Sequence, residues 1–123
     1  MWRSASEVWL VTRDMHRLDA VLECIERAPR VDVHAVDHSE GTVGVELQDG
    51  DVEGVLARLA DATVIPRDPG QATRACCAEL AIVLMRIDAH RLWLLVDRPC
   101  VDYLLSWLDH ATGQYRHGSR HVL

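Results

Sequence analysis

Residues 31–63 of this 123-residue chain recur, without a gap, at residues 80–112. Sliding the first stretch forward by 49 positions places Val43, Val45 and Leu47 on Leu92, Leu94 and Val96. The same shift carries Val52, Leu56 and Leu59 onto Val101, Leu105 and Leu108. A shorter echo links Leu10–Asp14 to Val64–Asp68, each ending in Arg-Asp. An internal repeat constrains a fold strongly, because each copy must bury its apolar face against the same kind of neighbour.

Hydrophobic period assigns the elements of each copy. Glu7–Thr12 is predicted as a strand rich in Val, Leu and Trp. Asp14 caps a helix with the stripe Leu18, Val21, Leu22 and Ile25, which Pro29 ends. Arg30–His38 and Thr42–Gln48 alternate as two strands around a Ser39-Glu40-Gly41 turn. Val52, Val55, Leu56 and Leu59 mark a helix, and Ala62–Pro66 a short strand. In the second copy Asp68 and Pro69 open a short helix that runs to Cys76 or Cys77. Periodicity leaves Leu80–Ile87 open between strand and helix, and alignment with Arg30–His38 assigns it as a strand. Arg91–Val96 is its partner, and Asp97 caps a last helix with the stripe Val101, Leu104, Leu105 and Leu108.

The expected fold class is therefore α+β: tandem β-α-β-β-α repeats in a ferredoxin-like arrangement. They would form one six-stranded antiparallel sheet, order 2-3-1-4-6-5, with four helices on one face. Residues 7–112 form a single pseudo-duplicated domain, with unit one at 7–61 and unit two at 62–112. Residues 1–6 and 113–123 are expected to be tails. A fold of this kind serves many tasks and carries little functional information.

Composition narrows the function classes. Apolar residues make up 49% of the chain and charged residues 26%, with a net charge of −6. That balance suits a soluble domain with its own core and opposes binding to a nucleic-acid backbone. Lysine is absent, so Schiff-base and P-loop lysine chemistry are excluded. No apolar run reaches transmembrane length and no signal-peptide pattern opens the sequence, so a cytoplasmic protein without membrane contact is expected. The four cysteines show no metal-ligand spacing and are expected to be buried free thiols. No cofactor or metal is called for.

Four helices on one face would leave the other face of the sheet open. Alternation places Asp32, His34, Val36 and His38 there, beside Thr42, Gly44 and Glu46. The second copy contributes Val83, Met85, Ile87, Trp93 and Leu95, with Trp9 between the two halves. An apolar patch of that size exceeds what a monomer usually exposes. It is expected to be an interface, with a homodimer as the simplest partner and another protein as the next.

Chemical sites are sparser. His34 is expected opposite Glu46 with His38 nearby, a pairing that would raise the histidine's pKa and suit a ligand site or acid–base work. Arg13 and Arg67 precede helix-capping aspartates and are candidates for anion binding at helix N-termini. No nucleophile, oxyanion hole or closed metal set can be assembled, so no catalytic residue is assigned. A non-enzymatic binding or assembly module is the leading expectation. A ligand-binding regulator or small enzyme built on His34, His38 and Glu46 is the alternative.

Overall fold

A computed structural model describes residues 1–27, 35–48, 52–112 and 119–122. Its element order is β1 (Trp2–Arg3), β2 (Val8–Trp9), α1 (Met15–Arg27), β3 (Thr42–Gln48), α2 (Val52–Leu56), β4 (Ala72–Cys77), β5 (Leu80–Asp88), β6 (Arg91–Asp97), α3 (Val101–Thr112) and β7 (Ser119–Val122). Short 3-10 turns lie at Ala62–Val64 and Arg98–Cys100. The chain is α+β, as its sequence implies.

The sheet differs from the expected one. Four antiparallel strands run in the order β4-β5-β6-β3, with β7 added at the outer edge of β3, and β1 and β2 form a separate two-stranded ribbon. The single six-stranded ferredoxin-like sheet is therefore corrected. Its first strand reduces to Val8–Trp9, which pairs with Trp2–Arg3, so those residues belong to a sheet and not to a tail. Residues 30–34 of another expected strand lie outside the described residues, and 35–38 form no strand. β7 occupies the edge of β3 where that strand was expected. Ala62–Val64 is a 3-10 turn, whose cap Asp61 accepts from the Thr63 amide.

The expected helix before Cys77 is strand β4. Its start is set by Gln71, whose Oε1 accepts the Arg67 and Asp68 amides, while Gly70 takes φ 83°. Its end is a two-residue hairpin in which Ala78 and Glu79 both have positive φ, 50° and 69°. That backbone is the type I′ turn favoured between twisted antiparallel strands. The Ala78 amide is also held by the Leu59 carbonyl at 2.9 Å.

Thr42–Gln48 matches β3, and Leu80 does begin a strand, β5. The 49-residue shift carries β3 onto β6 and the start of α2 onto the start of α3. These two strands pair antiparallel, with Val45 opposite Leu94, its own counterpart in the other copy. A local pseudo-two-fold axis thus passes between Val45 and Leu94.

Alternation along the strands sorts side chains to two faces. The inner face carries Val43, Val45, Leu47, Ile82, Leu84, Leu92, Leu94 and Val96, which pack against Val55 and Leu56 of α2 and Leu104 and Leu108 of α3. Each such side chain contributes about 1.5–3 kcal/mol on burial. Arg86 also points inward and is only 1% exposed. Its Nε donates to the Pro66 carbonyl at 2.8 Å, its Nη1 lies 3.3 Å from the Asp88 carbonyl, and its Nη2 pairs with Glu53. Filling its donors in this way makes a buried guanidinium tolerable.

α1 is a contrast. Asp14 caps it, accepting the His16 amide at 3.0 Å, yet none of its side chains is buried. Among the described residues, no helix is long and apolar enough to cross a membrane.

Candidate functional site

The outer face of the sheet holds the chain's most unusual surface. Cross-strand register sets Ala72, Met85, Trp93 and Glu46 in one row across β4, β5, β6 and β3. The next row holds Arg74, Val83, Leu95 and Gly44. Val83, Met85, Trp93 and Leu95 make the β5–β6 part apolar, flanked by Arg74 on β4 and Glu46 on β3. This face was expected to lie open, and that is corrected. Met85 is 0% exposed and Val83 6%, because the β1–β2 ribbon lies over them.

Two tryptophans carry the cover. The Trp2 ring lies over Trp93, with centroids 5.1 Å apart and planes tilted by 41°. Its Nε1 donates to the Arg86 carbonyl at 3.0 Å. Trp9 packs on the same cluster and carries the Arg74 guanidinium 5.1 Å above its ring. Such offset aromatic and cation contacts are each worth about 0.5–1.5 kcal/mol beyond area burial.

Polar contacts close the rim. Arg74 grips Glu7 with two bonds, Nε to Oε2 at 2.7 Å and Nη2 to Oε1 at 2.9 Å. These hydrogen bonds from Arg74 hold the Glu7 carboxyl below the ordinary carboxylate range and raise Arg74 in return. The Arg3 amide donates to the Gly70 carbonyl at 2.9 Å, which ties β1 to the start of β4. Trp9, Ile87, Trp93 and Leu95 stay partly exposed, so the cover is incomplete.

Among the described residues, no contact joins His38, Glu46, Arg13 and Arg67 into one site. Glu46 accepts Trp93 Nε1 at 3.1 Å and lies 3.7 Å from Arg91 Nη1. His34 lies outside the described residues. His38 is exposed and sits on no strand; its ring is 6.4 Å from that of Trp9. Arg13 is exposed beside the capped start of α1. Arg67 is exposed too, but a turn into β4 follows it, so no helix N-terminus stands there to bind an anion. Among the described residues, no three His, Cys, Asp or Glu side chains are placed to hold a metal ion.

The cysteines are free, as expected, but only Cys77 is buried, while Cys24 and Cys76 are exposed. Desolvation, with a smaller effect from Cys76, pushes the Cys77 thiol up to about 12. Trp2 falls within the expected tail 1–6 and is not legible as a site residue in the sequence. The exposed pair Tyr103 and Trp107 on α3, whose rings meet edge-on at 6.4 Å, also lies outside the expected site residues. Their spacing of four residues on a helix was the available signal.

Comparison with family models, curated proteins and solved structures finds no match to this chain.

Proposed function

We propose that this chain is a non-enzymatic protein-binding and assembly module that associates through the outer face of β5 and β6. The observation that carries this reading is the cover over Val83 and Met85. Their burial depends on a ribbon of two two-residue strands. A two-stranded ribbon of that size has no stability of its own and forms only against the surface it covers. An apolar face roofed by so slight an element is suited to receiving a protein segment in the ribbon's place. A homodimer or a different protein partner both fit it, while the net charge of −6 disfavours nucleic acid.

The alternative, a ligand site or small enzyme using His34, His38 and Glu46, draws less support. The Glu46 carboxylate is already engaged by Trp93 and Arg91.

Light scattering on the wild type and on Leu95→Asp tests the proposal. Leu95 is partly exposed at the edge of the covered patch, so a charge there opposes docking and leaves the inner core untouched. The wild type is expected to associate, and Leu95→Asp to return to the single-chain mass with an unchanged far-ultraviolet spectrum. A wild type that stays at the single-chain mass overturns self-association through this face.

A further inference from the structure

We infer that the segment docking on this face is the ribbon of a second copy of the chain, so that residues 1–9 exchange between two protomers. This rests on reading the face as a docking surface and names what docks there. Every contact required is already present within one chain. Trp2 stacks on Trp93, Trp2 Nε1 bonds the Arg86 carbonyl, and Glu7 clasps Arg74. A second copy's ribbon makes the same contacts with no new chemistry. Exchange of an identical element is a low-cost route to a two-fold dimer.

The connection out of the ribbon permits it. Residues 10–14 form neither helix nor strand, and Leu10 and Val11 are 40% and 41% exposed. No residue from 10 to 27 is buried, so the arm that carries the ribbon is not pinned to its own body by buried packing.

A drive toward exchange must come from surface covered only in the dimer, because the ribbon's own contacts are identical in both forms. A ribbon tethered to its own sheet has an effective concentration on the order of millimolar. Dimers at micromolar concentration therefore need a further gain on the order of 10³-fold. The apolar stripe of α1 is the available source: Leu18, Val21, Leu22 and Ile25 lie on one side of a helix with no buried side chain. In the exchanged dimer residues 10–14 cross between the protomers, and the α1 stripe that follows them is the surface available to meet the second body.

A charge-swap mixture tests the inference on the full chain. Glu7→Arg alone sets two arginines at the clasp, and Arg74→Glu alone sets two carboxylates there. Mixed, the two chains rebuild both clasps, but only between chains. Both side chains lie at the surface, so each variant is expected to fold, with circular dichroism as the check. Arg74→Glu also withdraws the guanidinium from Trp9, so the readout is the mixture against each chain alone. The mixture is expected to dimerise at least about ten-fold more tightly than either variant alone. A mixture no tighter than its components overturns the exchange. Trp2→Ala separates this failure from failure of the docking reading. If exchange holds, Trp2→Ala leaves the dimerisation constant close to that of the wild type, because the closed monomer and the exchanged dimer lose the same contacts; if it strengthens association, the face receives some other segment and exchange is overturned. If the mixture is no tighter than either variant alone and Trp2→Ala does not strengthen association, both readings fall.

Discussion

Trp2 and Trp93 lie 91 positions apart in the chain, yet their rings meet at 5.1 Å on the outer face of the sheet. One belongs to a two-residue strand and the other to the central strand β6. Their contact is what turns an open apolar face into a covered one. Trp2→Ala removes the ring pair and the bond to the Arg86 carbonyl, for an expected loss of about 2 kcal/mol in a urea titration. Tryptophan emission should shift to the red as Trp93 gains solvent.

Much of this arrangement can be read from the sequence, and the exceptions have physical causes. Alternation assigns Val83, Met85, Trp93 and Leu95 to one face and Leu92 and Leu94 to the other, because period-2 patterning is strong in strands with one apolar face. The repeat pairs β3 with β6 in kind, down to Val45 and Leu94. It does not say which strands are neighbours, since that depends on turns. The β4–β5 turn is Ala78-Glu79, which lacks the Asn or Gly that marks a type I′ turn, so the strand before it reads as a helix. The ribbon is hidden for a different reason: Trp2 and Trp9 are held by side-chain contacts to distant strands, which no local pattern encodes.

The Ala78-Glu79 turn gives a second test. Positive φ at non-glycine residues costs about 1 kcal/mol each. Ala78→Asn with Glu79→Gly supplies the residues this backbone favours, and the double variant is expected to gain about 1 kcal/mol in thermal or urea unfolding. A loss of stability would mean that the turn is not type I′.

Arg86 is the buried polar centre of β5. Arg86→Met leaves the Pro66 and Asp88 carbonyls and the Glu53 carboxylate without their donor. The expected loss is about 3 kcal/mol, measured by chemical denaturation. Arg86→Lys should recover only part of it, because a single ammonium cannot reach all these acceptors in a fixed fork.

Acid should open the cover. Hydrogen bonds from Arg74 hold the folded Glu7 carboxyl below its ordinary value of 4.5. A folded value below the unfolded one means the clasp stabilises fully above that range and is lost as pH falls through the lowered value. Other lowered carboxyls, such as Asp88, titrate in the same region, so Glu7→Gln is the control. Wild-type tryptophan emission is expected to shift on acidification by more than that of Glu7→Gln. Identical titrations would remove Glu7 from the clasp.

The mass of the native particle bears most directly on the docking face. Sedimentation equilibrium of the wild-type chain, from about micromolar to about millimolar concentration, is expected to rise to twice the 13.8 kDa of one chain. A mass that stays at 13.8 kDa over the whole range would contradict self-association through the face beneath Trp2 and Trp9.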